Sequence, residues 1–348
     1  MSPAQGQGAG MRAFVTGGTG FVGGALVRRL LSEGHEVVAL VRPGADTRQL
    51  DGLPVERVVG DLTHTEVLRR GAAGCQWVFH VAALYSYWGH SWGEFYQANV
   101  DGTRRVLEAA MDAGATRIVH TSSIATLGLC ADGSQGTEDT PSSPSGMIGP
   151  YKRSKYLAED VAREYVRRGA PVVIVNPAAP IGMGDHKPTP TGKVVVDFLN
   201  GRMPAYVDTG LTIVDVEDVA LGHLLAAERG TVGERYILGG ENLTLREVLD
   251  ILAEVAGLPR VRIRIPHAVA LAWAYVDVSL ARLRATHVPA ATPDTVRLSR
   301  KHEFFSSAKA VRELGFPQNP ARDALRKAVE WYRANGYAPD VSSRGRGR

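Results

Sequence analysis

The sequence contains few cysteines, little net charge and no long apolar run. Its 348 residues include only two cysteines, Cys75 and Cys130, and neither lies in a C-x-x-C motif or beside paired histidines. This scarcity argues against a disulfide framework and against a zinc or other metal site, and it is typical of a reducing compartment. We therefore expect a cytoplasmic protein without a metal cofactor.

The charge balance and the hydropathy pattern exclude further classes. The net charge is +4, and much of it comes from the arginines of residues 343–348, so we expect no basic stripe that would bind nucleic acid. Residues 1–10 lack the apolar core of a signal peptide. The most apolar stretch, Ala268 to Leu283, is too short to cross a bilayer. Disordered ends are expected at residues 1–10 and 337–348.

Strand patterns and helical patterns alternate between residues 11 and 177. Apolar runs predict strands over Arg12–Thr16, Glu36–Val41, Val55–Val59, Trp77–Val81, Arg117–Thr121 and Val172–Asn176, and the clearest helical patterns are Gly93–Ala113 and Tyr151–Arg168. Strands that are apolar on both faces and are joined by helices pair in parallel. The sequence therefore predicts an α/β fold with a Rossmann-type, doubly wound parallel sheet over residues 11–177.

Residues 178–336 are less regular and begin with a segment rich in proline and glycine. Strands are predicted over Thr212–Val216 and Glu234–Leu238, and helices over Asp218–Ala227 and from Leu245. We expect a smaller C-terminal lobe that binds the substrate and is interleaved with the last strands of the sheet.

A glycine-rich turn follows the first predicted strand. Its candidate cofactor-binding residues are Gly17, Thr19, Gly20, Phe21, Val22 and Gly23. Glycines at this spacing permit a tight turn and a close approach of backbone N–H groups to a pyrophosphate at the N-terminus of the next helix. The turn predicts a dinucleotide site, although glycines can also serve packing alone.

The ends of later strands carry further candidates for cofactor contacts. Asp61 and Leu62 follow the third strand, where a carboxylate can accept a hydrogen bond from adenine. Small residues that let a cofactor lie close to the backbone end the fourth strand, and polar residues end the fifth and sixth; these candidates are Val81, Ala82, Ala83, Thr121, Asn176 and Pro177.

The residue after the second strand bears on the choice of cofactor. Chains that bind NAD place an acidic residue there for the ribose 2′-hydroxyl, whereas this chain has Arg42, with Arg48 nearby. A guanidinium suits a 2′-phosphate, so NADP is favoured over NAD. The alternatives are that Arg42 is a solvated surface residue or stacks on adenine.

A tyrosine and a lysine open the helix after the fifth strand. Tyr151 and Lys155 are four residues apart and share a helix face. The ammonium and a positive nicotinamide ring are expected to lower the pKa of the phenol from about 10, so that Tyr151 can exchange a proton with a substrate. A hydroxyl from Ser122 or Ser123, at the end of the fifth strand, would complete the set.

These motifs resemble those of the extended short-chain dehydrogenases/reductases, the NAD-dependent epimerase/dehydratase family. The resemblance covers residues 11 to 336 and is carried by Thr16–Gly23, Gly60–Leu62, Thr121–Ser123 and Tyr151-x-x-x-Lys155. It implies that Tyr151 is the acid/base, Lys155 its activator and Ser123, rather than Ser122, the partner of the substrate oxygen. It also implies that Asn99 supports the active-site helix, and that a homodimer forms through the two clearest helices.

Longer strings resemble a narrower group, the hopanoid-associated sugar epimerases, which are also labelled dihydroflavonol-4-reductase-like. The strings are Met147–Lys155, Lys187–Lys193 and Asp197–Gly210. This resemblance implies hydride transfer at a carbinol or ketone carbon of a sugar-like or polyol substrate by an epimerase. One alternative is an NADPH-dependent ketone reductase or dehydrogenase of the dihydroflavonol or hydroxysteroid type. A non-catalytic dinucleotide sensor is less favoured, because such proteins lack the tyrosine–lysine pair.

Two segments predict contacts with the small-molecule substrate. The loop from Tyr85 to Trp92 is rich in aromatic residues, with Tyr85 and Trp88 as candidates, and suits a flat or apolar substrate, a stacked sugar, or packing on the sheet. Lys187, Lys193 and Arg202 are candidates for binding a diphosphate, or are solvated loop charges.

The segment from Pro266 to Asp277 is apolar nearly all round. A buried helix of the lobe or of a dimer interface would explain this composition. The other hypothesis is a surface for a lipid-tailed substrate or for peripheral contact with a membrane.

Overall fold

The computed structural model describes residues 10–86, 88–130, 132–283, 289 and 291–339. The ends predicted to be disordered lie outside the described residues, except for Gly10 and residues 337–339.

The strands of the described chain fall into one large sheet and two small ones. They are β1 (Arg12–Thr16), β2 (Glu36–Val41), β3 (Val55–Val59), β4 (Trp77–His80), β5 (Arg117–Thr121), β6 (Val172–Pro177), β7 (Ala179–Ile181), β8 (Ala205–Tyr206), β9 (Gly210–Asp215), β10 (Arg235–Leu238), β11 (Glu241–Thr244), β12 (Ile263–Arg264) and β13 (His302–Glu303). The large sheet has seven parallel strands in the order β10-β6-β5-β4-β1-β2-β3. The predicted fold class, a Rossmann-type doubly wound sheet, is confirmed.

The strand order reverses between β1 and β4. From β1 the chain adds β2 and β3 on one side, and then returns to place β4, β5, β6 and β10 on the other side. In open parallel sheets, ligands bind beyond the carboxyl ends of the strands at such a reversal. This point lies where β1 ends at Thr16 and β4 ends at His80.

Helices cover both faces of the sheet. They are α1 (Phe21–Ser32), α2 (Thr65–Ala72), α3 (Trp92–Phe95), α4 (Gly102–Asp112), α5 (Gly149–Arg167), α6 (Pro190–Leu199), α7 (Val216–Arg229), α8 (Leu245–Ala256), α9 (His267–Leu283), α10 (Pro293–Leu298), α11 (Ala308–Leu314) and α12 (Ala321–Ala334). One core lies between the sheet and α1 and α7, and the other lies between the sheet and α2, α4 and α5.

The helix predicted over Gly93–Ala113 is interrupted. A π-helical turn, Tyr96–Asp101, joins α3 to α4 and holds the buried Asn99. The extra residue of such a turn changes the direction in which side chains leave the helix, and π-helical turns often occur at functional sites.

After β6 the chain leaves the large sheet and returns to it once. β7, β11 and β13 pair with β9 in a four-stranded sheet, and only β10 joins the edge of the large one. A separate core forms where this small sheet packs against α6, α8 and α12. The strand predicted over Thr212–Val216 is β9, so it belongs to the small sheet.

Candidate active site

The glycine turn lies at the strand reversal and is tightly closed. Gly17 has a φ of 78°, which favours glycine. A side chain at Gly23 would place its Cβ 2.1 Å from the carbonyl oxygen of Gly17, and one at Gly17 would lie 2.7 Å from the backbone nitrogen of Ala82. The backbone therefore leaves no room for side chains at either position.

The turn leads into the N-terminus of α1, where Phe21, Val22 and Gly23 form the first turn. Gly20 precedes the helix without a side-chain cap from the described residues, and no acidic residue lies in the first turn. The first N–H groups of a helix lack partners within it and carry partial positive charge. This cradle of glycines and free N–H groups fits the pyrophosphate of a dinucleotide, and Thr19 lies within it.

The other predicted cofactor residues surround the same edge of the sheet. Val81, Ala82 and Ala83 follow β4, and the Ala82 N–H donates to Thr16 Oγ1 at 3.3 Å. Asp61 and Leu62 follow β3. Asp61 Oδ1 accepts from the Thr63 N–H at 2.8 Å and lies 2.8 Å from His64 Nδ1, and the hydrogen bonds from Thr63 hold the pKa of Asp61 below its ordinary value.

The two arginines after β2 differ in their surroundings. Arg48 forms an ion pair with Asp46 at 2.6 Å. Arg42 is exposed, and within the described part of the chain its side chain takes part in no hydrogen bond or ion pair. Of the two guanidinium groups, that of Arg42 is thus available to an anionic ligand.

Tyr151 and Lys155 project from the first turns of α5 and are both buried. Lys155 Nζ donates to the carbonyl oxygen of Thr121 at 2.6 Å, which ties α5 to the end of β5. Burial lowers the pKa of Lys155 to about 8, and Glu159 opposes that effect. Burial also raises the pKa of Tyr151 to about 12, against the opposing hydrogen bond with Ser123. In this structure the loss of hydration dominates and the pKa of Tyr151 lies above its ordinary value, whereas the expected lowering included the effect of a positive nicotinamide ring beside the phenol.

The two serines after β5 have different partners. Ser123 is hydrogen-bonded to Tyr151, so the structure brings the two hydroxyls together. Ser122 Oγ instead donates to Glu159 Oε2 at 2.5 Å and is buried. Ser123 is the serine whose side chain accompanies the tyrosine.

Asn99 is hydrogen-bonded to α5, the helix that carries Tyr151 and Lys155. Its Nδ2 donates to Ser154 Oγ at 2.8 Å and to the Leu84 carbonyl at 3.1 Å, and its Oδ1 accepts from the Leu84 N–H at 2.6 Å. Ser154 lies between Tyr151 and Lys155 on α5. The side-chain amide of Asn99, on the π-helical turn, thus bonds both α5 and the loop that follows β4.

Glu159 was missed at the sequence level. Its buried carboxylate accepts from Ser122, from Thr126 at 2.8 Å and from Asn176 Nδ2 at 3.0 Å. Asn176 also donates to the backbone carbonyl of Ser123 at 3.0 Å. Glu159 therefore joins β5, α5 and β6 behind the Ser123–Tyr151 pair. Its spacing, four residues after Lys155 on the same helix face, is the signal that could have indicated it.

Two buried histidines lie behind the site and were also missed. His80 bridges Thr16 at 2.8 Å and Thr103 at 3.0 Å, and burial lowers its pKa to about 3. His120 lies beside it with ring centroids 5.5 Å apart, and neither of its ring nitrogens has a partner among the described residues. Both rings are neutral at physiological pH, so they add no charge next to Lys155.

The predicted substrate residues separate into two groups. The ring of Tyr85 packs against Tyr151 with centroids 4.7 Å apart, and Trp88 follows it in a turn held by Ser86; Tyr87 lies outside the described residues. Lys187 is exposed. Lys193 and Arg202 both pair with Asp197, at 2.5 and 2.8 Å.

Comparison with known proteins identifies the family. Residues 13–239 match the family model described as the NAD dependent epimerase/dehydratase family. The chain belongs to this family. Since the glycine cradle and the tyrosine–lysine pair are both present, the protein is an NAD(P)-dependent enzyme of the extended short-chain dehydrogenase/reductase type.

Individual relatives include several reductases. A putative dihydroflavonol 4-reductase of Synechocystis sp. is 46% identical over 93% of this chain and 95% of its own length. Sterol demethylase protein B of Methylococcus capsulatus is 38% identical over 94% of this chain and 99% of its own length. A 4-hydroxy-2-methyl-3-oxo-4-farnesyl-3,4-dihydroquinoline-1-oxide ketoreductase of Stigmatella aurantiaca is 36% identical over 91% of this chain and 96% of its own length. The crystal structure of gox2253 is similar with a TM-score of 0.84 and 44% identity, covering 94% of this chain and 99% of that one.

Proposed function

We propose that this enzyme reduces the ketone of a lipophilic substrate, with NADPH preferred over NADH. The observation that carries the proposal is the buried Tyr151 hydroxyl, which is hydrogen-bonded to Ser123 and has a pKa raised by burial to about 12. Such a phenol keeps its proton at neutral pH. It can therefore give a proton to a carbonyl oxygen, whereas to act as the base in the oxidation of an alcohol it would first have to lose that proton.

The chain divides the work among three residues. A substrate carbonyl oxygen between the hydroxyls of Ser123 and Tyr151 would accept a hydrogen bond from each. The reduced nicotinamide cofactor supplies the hydride for the carbonyl carbon. Tyr151 then gives its proton to the oxygen and becomes a phenolate, which the ammonium of Lys155 on the same helix face stabilises. The glycine turn would hold the pyrophosphate, Asp61 the adenine and Arg42 the 2′-phosphate.

The preference for a lipophilic substrate rests on the surroundings of Tyr151. Its ring packs with Tyr85, Leu84, Phe95 and Ala125, so the side chains around Tyr151 are aromatic and apolar. The names of two relatives describe a sterol demethylase protein and a ketoreductase for a farnesylated quinoline, both of which concern lipophilic molecules. A lipid-tailed ketone is the substrate class that both observations favour.

A hopanoid-associated sugar epimerase is the second candidate. It would use the same three residues, and the family model, whose name includes epimerases, favours it. It would also need cations for a sugar-linked diphosphate. The pairing of Lys193 and Arg202 with Asp197 makes those two residues weaker candidates for that role.

Two measurements distinguish the candidates. Native mass spectrometry of the purified protein should find an exchangeable cofactor site that takes up NADPH more tightly than NADH. Oxidation of NADPH should then be seen with a farnesylated or steroid ketone and not with a sugar nucleotide. Tightly retained NAD⁺ together with interconversion of a sugar nucleotide would contradict the proposal. A homodimer and a cytoplasmic location stay predictions.

A further inference from the structure

The outer face of α9 is an exposed apolar surface. The outer face of α9 consists of the side chains of Val269, Trp273, Val276, Leu280 and Leu283, whose exposed fractions are 55, 60, 51, 37 and 82%. Their spacing of four, three, four and three residues places them along one side of the helix. No charged residue lies between His267 and Arg282 except Asp277, which is buried.

The buried side of α9 has mostly small residues. Ala274, Val278 and Ala281 are buried together with Asp277, and the helix packs on α10. An amphipathic surface helix ordinarily turns its large apolar residues toward the core and its polar residues outward. In α9 the large side chains face outward instead, so the protein core does not explain them.

Cationic side chains lie at both ends of this face. Arg262 and Arg264 precede the helix beside the exposed Ile263, and Arg282 lies in its last turn. Arg264 is paired with Asp208 at 2.8 Å, so Arg262 and Arg282 are the cations on which the argument depends. His267 Nε2 lies 3.0 Å from the Ser299 carbonyl, which brings the exposed Arg300 and Lys301 to the N-terminal end of α9. An apolar strip with flanking cations is complementary to a layer of apolar tails under anionic headgroups.

The helix also lies near the active site. Asp294 of α10, the helix on which α9 packs, reaches to 3.9 Å from the position of a Cβ atom at Gly149. Gly149 opens α5 two residues before Tyr151. A surface bound through α9 would therefore be connected through α10 to the first turn of α5, which carries Tyr151.

We infer that the outer face of α9 docks the enzyme on the surface of an anionic lipid bilayer, with Trp273 at the level of the headgroups. The contact is peripheral, since no helix within the described ranges is long and apolar enough to span a bilayer. Docking does not depend on the proposed reaction. Its test is therefore separate from tests of reduction.

The test is co-sedimentation of the full chain with vesicles. The vesicles are phosphatidylglycerol mixed with phosphatidylcholine, or phosphatidylcholine alone. We expect wild type to bind the anionic vesicles, to bind the neutral ones less, and to lose anionic binding about tenfold in Trp273→Glu with Val276→Glu. The matched control is Val232→Glu, an apolar residue in a turn with an exposed fraction of 44%, which should bind as wild type does.

Three results would overturn the inference. The first is that wild type binds neither vesicle. The second is that the double variant binds anionic vesicles as well as wild type, because the arginines of residues 344–348 are unchanged in it and would then explain the binding. The third is that wild type is a dimer in solution and the double variant a monomer, which would make this face a subunit interface. Far-UV circular dichroism checks that each variant is folded.

Discussion

Replacement of Glu159 by alanine should lower the free energy of unfolding more than replacement of any exposed residue on α5. Glu159 Oε2 accepts from three buried groups, on Ser122, Thr126 and Asn176, while Oε1 accepts from Arg163 at 2.8 Å and Arg235 at 3.2 Å. Although burial alone would raise it, the hydrogen bonds from Ser122 and Arg163 hold the pKa of Glu159 below its ordinary value. The carboxylate is therefore charged in the folded protein at neutral pH.

The magnitude follows from the donors that lose their acceptor. Each buried donor without a partner costs about 1–3 kcal/mol, and removal of one member of a buried ion pair costs about 3–5 kcal/mol. These terms overlap, and the partly exposed arginines regain water, so we expect the free energy of unfolding to fall by about 3–5 kcal/mol. The matched control is Glu164→Ala on the same helix, where an exposed pair with Arg168 at 3.8 Å is lost and about 0–1 kcal/mol is expected.

Urea unfolding at neutral pH, followed by tryptophan fluorescence, measures both variants. Because the folded pKa of Glu159 is depressed, its stabilisation is present above the pKa of the unfolded chain and is lost as pH falls through the folded value. The difference in the free energy of unfolding between wild type and Glu159→Ala should therefore become smaller as the pH is lowered. A loss in Glu159→Ala no larger than that in Glu164→Ala would refute the reasoning.

Three further predictions concern single residues. Lys155→Met should raise the free energy of unfolding at neutral pH by about 2 kcal/mol. Burial depresses the pKa of the lysine from 10.5 to about 8, which means that burying the charged lysine costs about 3 kcal/mol. The variant avoids that cost but loses a hydrogen bond that contributes about 1 kcal/mol. Wild-type stability should also rise between those two pH values, where the unfolded chain binds more protons, and denaturation of the variant should lack that rise. Gly23→Ala should weaken NADPH binding in a fluorescence titration by about tenfold or more, because its Cβ would lie 2.1 Å from the Gly17 carbonyl oxygen, while Gly93→Ala, which has room, should bind normally. Arg42→Ala should weaken NADPH about tenfold and leave NADH unchanged; equal losses for both cofactors would exclude a 2′-phosphate contact.

Local patterns made the central fold and the cofactor turn predictable. The glycines of the turn act through backbone geometry, which depends on their immediate neighbours. The buried strands are recognisable in the sequence as continuous apolar runs. Tyr151 and Lys155 share a face because helix periodicity is fixed. These features need no knowledge of distant contacts.

Features that depend on distant contacts were not predictable. The partners of Glu159 lie on β6 and just after β5. Lys193 and Arg202 were candidates for binding a diphosphate or solvated loop charges, and the structure pairs both with Asp197. The direction of the Tyr151 pKa depends on how completely the surrounding chain excludes water. The sequence also showed that α9 is apolar but not that its large residues face outward, since both sides of the helix are apolar.

The most direct test of the proposed chemistry is a single-turnover measurement of bound NADPH mixed with an accepted ketone, in Tyr151→Phe and in Tyr156→Phe. The two tyrosines lie on the same helix, but only Tyr151 is hydrogen-bonded to Ser123. We predict that Tyr151→Phe slows hydride transfer by about a hundredfold to ten thousandfold while NADPH affinity is kept, and that Tyr156→Phe reacts as wild type does. Hydride transfer at the wild-type rate in Tyr151→Phe would contradict the assignment of Tyr151 as the proton donor.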